Sequence, residues 1–314
     1  MPALCLVPTP LAAARAARRL CDAQDGLLFG PRVATPAELV PALLAASGER
    51  RPLLGPLAER LVVLDAAREA GGAFVAVDPA SGLARDLARA VAELRRGGVT
   101  AESAAGVAAS LSGRAAERLQ ALSDVLAAVE RRLADLGALD GAAGERAAAE
   151  AVRRGAESEA TAGLDLLFLD GFARTSQAAG DLLSALAGRA RRTLARLPWF
   201  PERPDLSGPA EALVRRLEAL HEGTQGEIRI DFPSIGGDGR APRLAHLLAA
   251  VAGGPAPGVA PEGGRVLGLP AAGEDAEAEA AARLLADLLH EGFAPEAVAV
   301  VSAAPGRMSH LLRR

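Results

Sequence analysis

Two apolar runs end on residues that could serve a nucleotide. Ala3–Val7 leads through Pro8-Thr9-Pro10 into a helical pattern, and Leu166–Leu169 ends on Asp170-Gly171. The first has the order of a phosphate-binding loop: strand, turn, helix. Such a loop needs glycines whose backbone N–H groups wrap the phosphates, a Lys on the β- and γ-phosphates, and a Ser or Thr on magnesium. Thr9 is the one hydroxyl in this turn, and Pro8 and Pro10 carry no N–H. The chain contains no Lys, because all 35 basic residues are Arg. The second run has the form of a strand whose terminal carboxylate holds magnesium. The next position, where a base would activate water, is Gly171. Thr9 and Asp170 therefore mark a degenerate nucleotide site. ATP and magnesium are not expected there, and Asp170 is expected to be a strand-end or capping residue rather than a metal ligand.

The arginines form two local groups. Arg15, Arg18 and Arg19 follow the first strand, which would place them near the carboxyl ends of a parallel sheet, where such folds bind ligands. Arg191, Arg192 and Arg196 precede a Pro-rich turn. A guanidinium fork meets phosphate bidentately, so both groups are candidate DNA contacts. The alternative is a solvated face. The net charge is −4, which restricts any nucleic-acid surface to a patch. Residues 171–220 hold eight Arg against five acids, and residues 261–300 hold two Arg against eight. The acids Glu274, Asp275, Glu277 and Glu279 lie where a helix N-terminus favours negative charge. His221, His246, His290 and His310 lack ligand spacing, so no metal site is expected. Missing Lys also excludes Schiff-base chemistry and the catalytic Lys of a restriction-type nuclease. Cys5 and Cys21 form no disulfide framework, which fits buried thiols in a reducing cytoplasm. Neither a signal peptide nor an unbroken membrane-spanning run is evident.

To hold these residues, the chain alternates strands and helices. Strands are expected at 3–7, Leu27–Phe29 and Arg32–Ala34, with a helix over 10–21 between the first two. Thr35, Pro36 and Glu38 form a helix start with a capping box, and a further helix over 57–70 closes on Gly71-Gly72. From 74 to 160 the periodicity is helical. Leu83, Leu87, Val91 and Leu94 share one face. Leu119, Leu122, Leu126, Val129, Leu133 and Leu136 form a seam suited to packing inside a small bundle. The unbroken run at 164–172 predicts a strand buried on both faces of a parallel sheet. A helix at 176–188, an arginine-rich strand and a helix at 208–222 follow. Residues 233–264, rich in Gly and Pro, predict a linker. A fresh unit then follows: strand 265–269, helix 275–291, strand 297–302. A new helical pattern at the chain's end suggests a piece of a longer protein. The length suggests about two domains. The division is 1–73 with 161–232 as a discontinuous sheet domain, 74–160 as a helical insertion, 233–264 as a linker, and 265–314 as the start of a second sheet domain. Alternation of this kind gives a parallel sheet with right-handed crossovers.

The segments "LVPTPLAAARAARRL", "FGPRVATPAELVPALL", "LARDLARAVAELRRGGVTAESA", "LFLDGFARTSQAAGDLLSALA" and "EDAEAEAAARLLADLLHEGFAPEAVAVVSAAPGRMSHLL" stand in one order along the chain. In that order they resemble AddB-type subunits of bacterial helicase–nucleases. The resemblance implies a P-loop NTPase (RecA-like) parallel sheet with an inserted helical subdomain and the start of a second RecA-like domain, in a superfamily-1 motor that has degenerated. It implies DNA binding, an AddA-type helicase–nuclease subunit as partner in a heterodimer, and cytoplasmic double-strand-break repair by homologous recombination. A nuclease domain with an iron–sulfur cluster is implied beyond residue 314. Some members keep an intact phosphate loop, and this chain departs from them at Val7–Arg15. The alternatives are a structural or assembly protein with a motor-like fold and no DNA contact, or an unrelated α/β enzyme.

Overall fold

A computed structural model describes residues 2–22, 31–74, 77–78, 81–198, 204–223, 227–231 and 271–301. The chain divides into two compact units, 1–234 and 235–314.

Among the described residues the first unit has five strands: β1 (Ala3–Leu6), β2 (Pro31–Ala34), β3 (Leu166–Asp170), β4 (Arg192–Arg196) and β5 (Glu227–Asp231). All pair in parallel, in the order β2-β1-β3-β4-β5. Among the described residues nine helices accompany them: α1 (Pro10–Asp22), α2 (Pro36–Ala46), α3 (Pro56–Ala70), α4 (Gly82–Arg96), α5 (Ala101–Ala109), α6 (Gly113–Asp135), α7 (Gly141–Arg153), α8 (Gln177–Arg189) and α9 (Pro204–Gly223). Local chemistry starts several of them. The Thr35 hydroxyl accepts the Glu38 N–H, and the Glu38 carboxylate accepts the Thr35 N–H at 2.7 Å, so the expected capping box is present. Asp140 caps α7 by accepting the Ala143 N–H and Ser176 caps α8 by accepting the Ala179 N–H, each without a return bond from the third helical residue, which is Ala.

Packing follows from the crossovers. A right-handed connection places its helix on one face when the chain steps one way across the sheet, and on the other face when it steps back. From β1 to β2 the chain steps outward, and from β2 onward every step runs the opposite way. Leu4, Leu6, Leu167, Leu169 and Leu197 on one face pack with Leu43 of α2, Ala148 of α7, Leu182 and Leu186 of α8, and Leu213 of α9. The opposite face meets only α1 among the described helices, and α1 contains no fully buried residue. Burial along β3 therefore alternates, with Leu167 and Leu169 buried and Leu166, Phe168 and Asp170 half-buried. The expectation of burial on both faces is corrected: both faces are apolar in sequence, but the crossovers supply full cover to one.

A second apolar centre joins α3 to α6 through Val63, Leu87, Val91, Leu126 and Val129. The leucine seam serves this packing, with Leu126, Val129 and Leu133 buried, Leu119 and Leu122 partly covered, and Leu136 exposed. Helix α3, from the 1–73 segment, packs in this centre. Helix α7, from 74–160, packs on the sheet.

Strand β5 was not expected. Ile228 and Ile230 alternate with charged residues, the two-residue period of an edge strand. Helix α9 begins at Pro204 instead of 208, since proline's fixed φ suits a first turn. In the second unit, α10 (Glu274–His290) starts with Glu274, Asp275 and Glu277 in its first turn. A 3₁₀ turn (Pro295–Ala297) follows, and 298–301 form no strand, so the described part of the 297–302 strand is corrected. A strand persists by pairing, and these residues have no ladder partner among those described. The expected elements at Leu27–Phe29, 233–264 and 265–269, and the pattern after 302, lie outside the described residues. No helix among the described residues is long and apolar enough to cross a membrane.

Leu167 is fully buried in the central strand, and Leu57 is 70% exposed on α3. Leu167→Ala should lower the unfolding free energy by about 2–5 kcal/mol. Leu57→Ala should change it by no more than about 0.5 kcal/mol. Chemical denaturation of both variants checks the assignment of the core.

Candidate functional site

The β1–α1 turn does not present the groups that hold phosphate. The Thr9 hydroxyl accepts the Ala12 N–H at 3.2 Å, and the Thr9 carbonyl accepts the Ala13 N–H at 3.0 Å. With Pro10 lacking a donor, at most one first-turn amide, that of Leu11, remains for an anion.

Asp170 is equally committed. It stands beside Arg196 in register across β3 and β4. Arg196 donates to both carboxylate oxygens, Nε to Oδ1 at 2.8 Å and Nη2 to Oδ2 at 2.7 Å. The same guanidinium lies 5.7 Å from the centroid of the Phe168 ring, a cation–π contact. A magnesium ion at Asp170 would have to displace this bidentate pair. Gly171 adopts φ +78°, a conformation that costs other residues about 1–2 kcal/mol, so a general base at that position would carry backbone strain. Thr9, Asp170 and Gly171 thus do not fit a nucleoside triphosphate with its magnesium.

Between α1 and the half-open sheet face lies a cavity of about 660 Å³, within the range of small-ligand sites. Cys5, Phe168 and Leu194 form its floor, and Leu11 and Ala16 of α1 form one wall. It adjoins the β1–β3 junction where the strand order reverses, the place doubly wound sheets use for ligands. Arg15 and Arg19 line it, and Arg18 does not. Because β1 and β2 are parallel, α1 runs back along the sheet. Arg15 and Arg19 therefore sit about 8 Å and 14 Å along the helix from Pro10, well behind the strand ends. All three arginines are exposed and make no ion pair among the described residues.

The second arginine group is divided by its strand. Arg196 is at the carboxyl end of β4 and Arg192 at the amino end, about 13 Å away. Arg191, next to Arg192, pairs with Asp165 at 3.1 Å. The structure gathers Arg15, Arg19, Arg196, Asp170 and Thr9 around one cavity, and leaves Arg18, Arg191 and Arg192 outside it. Among the described residues no cluster of His, Cys, Asp or Glu could hold a metal ion.

Cys5, buried in the cavity floor, is the further residue of note. Burial pushes its thiol up to about 11, the nearby Asp170 charge adds to this, and Arg196 opposes it. A thiol so poised is a poor nucleophile at neutral pH.

No protein-family model matches this sequence, and no curated protein matches it significantly.

The chain has no Lys and no Tyr, whose side chains would otherwise ionise in the alkaline range around pH 10. Folded Cys5 holds its proton more tightly than unfolded Cys5. Its contribution to stability is therefore complete below pH 9 and is lost as pH rises towards 11, by about 2–3 kcal/mol. Denaturant unfolding across this range should show the fall, and Cys5→Ala should remove it.

Proposed function

We propose that this chain is the motor-like region of an AddB-type subunit of a bacterial helicase–nuclease. In this reading it is a degenerate P-loop NTPase (RecA-like) sheet with a helical insertion and the start of a second such domain. It contacts DNA beside an active AddA-type motor, in cytoplasmic double-strand-break repair, and does not hydrolyse ATP. The observation that carries this reading is the Asp170–Arg196 pair: both oxygens of the carboxylate that a motor would place on magnesium are held by a guanidinium. The parallel sheet, with a run of helices between β2 and β3, and the exposed arginines of α1 support it further. One observation favours the second reading, an assembly protein without DNA contact: the half-open apolar face of β3, which another protein could cover.

Phosphate release should be absent with or without single-stranded DNA. Turnover of about 1 per second or more, the ordinary enzyme scale, would sink the degenerate-motor reading once contaminating motors are excluded. In the full-length protein with its partner, Arg15→Ala/Arg18→Ala/Arg19→Ala should weaken single-stranded DNA binding. The log–log salt slope should become shallower by about 0.7 per lost phosphate contact. An unchanged slope in the folded variant favours the assembly reading.

A further inference from the structure

A second cavity, of about 310 Å³, lies between α3 and α4 over a floor that includes Val63, Val91 and Val129. Among the described residues its lining includes Arg60 on α3, Arg85, Arg89, Arg95 and Arg96 on α4, and the acids Glu59 and Asp140. Helix geometry sets this composition. At about 100° per residue, Arg85, Arg89, Ala92 and Arg96 fall in one stripe of α4, and Ala92 is too short to fill the groove.

Both lining acids are already engaged. Asp140 takes the Arg95 guanidinium on Oδ2 and the Ala143 N–H on Oδ1. Glu59 accepts the Gly141 N–H at 2.6 Å. The Glu59 carboxylate also lies near Arg96 of the α4 stripe, both side chains flanking Gly141. Among the described residues Arg89 has distant, exposed partners, Asp86 at 3.6 Å and Glu93 at 4.0 Å. Arg85 and Arg96 make no ion pair among the described residues. Glu130 pairs with Arg95 at 3.5 Å, and burial shifts the neighbouring Glu145 towards its neutral form, with the charges of Arg96 and Arg146 opposing that shift. Arg85, Arg89 and Arg96 thus leave exposed or half-exposed positive charge along one stripe of α4.

We propose that the α3–α4 cleft binds a chain of consecutive phosphates. Arg85, Arg89 and Arg96 span about 16 Å of helix, which suits an extended polyanion better than a single phosphate. Guanidinium forks are matched to phosphate oxygens. The chain could be a nucleic-acid backbone or a free polyphosphate. As a DNA contact the site rests on the function proposed above, and as a phosphate site it does not.

The test uses the full chain with two probes: a fluorescent single-stranded oligonucleotide across a salt series, and inorganic tripolyphosphate by calorimetry. The variants are Arg85→Ala/Arg96→Ala and the exposed single change Arg85→Glu, which carries the test if the double variant does not fold. Tripolyphosphate binding should be lost in the double variant and weakened in Arg85→Glu. If the ligand is a nucleic-acid strand, the oligonucleotide salt slope of the double variant falls by about 1.4, two contacts at about 0.7 each. Loss of tripolyphosphate with an unaltered oligonucleotide slope assigns the cleft to a free polyanion. Equal binding of both probes by folded variants and wild type, or no binding of either by wild type, overturns the proposal.

Discussion

Two parallel strands can be joined by a helix in a right-handed sense on only one side of a sheet, and this chain reverses its direction across the sheet once, after β2. Most of the architecture follows from that reversal. The outward step from β1 to β2 places α1 on one face, alone there among the described helices of this unit. The steps back through β3, β4 and β5 place the other sheet-packing helices on the opposite face, where Leu167, Leu169, Leu182 and Leu213 form the core. The face that α1 covers incompletely holds the larger cavity. Stability and the ligand crevice thus occupy opposite faces of one sheet, so residues such as Phe168 and Cys5 can line a cavity while their neighbours in sequence hold the fold.

The strand-end cluster shows how one ion pair can take the place of a ligand. Asp170 and Arg196 satisfy each other in a bidentate geometry, and Phe168 supports the guanidinium from below. Such a pair is only partly exposed, at 22% and 46% of its two side chains. Solvent therefore limits its energetic worth. Its consequence is chiefly chemical: it occupies the carboxylate, and the Asp170 charge helps keep the adjacent Cys5 protonated.

A different polar cluster joins the two apolar centres. Arg95, near the end of α4, meets Asp140, the N-cap of α7, and both are 8% exposed. Arg146 of α7 returns to the Arg95 carbonyl at 2.9 Å, and Glu59 of α3 accepts the Gly141 N–H. These bonds tie α3 and α4, which belong to the helical centre, to the start of α7, which packs on the sheet. Burying charges here carries a desolvation cost, and the return is a defined register between the two centres.

The sequence by itself determined what acts over a few residues. The Thr35–Glu38 capping box, the helical periodicity between 82 and 153, the parallel alternation of strands and helices, and the absence of phosphate-binding groups at Thr9 were all legible. Each depends on neighbours within about one turn or on residue type alone. The tertiary structure decided what depends on register and cover. Arg196 and Asp170 are 26 residues apart and meet only because β3 and β4 align them. An apolar run such as Leu166–Leu169 looks the same whether one face or both are covered. Strand β5 needs the β4 edge to pair with, and 298–301, apolar as they are, find no such edge among the described residues. Local propensity specifies an element, but its partners, its open face and the charges it brings together are set by strands and helices distant in the chain.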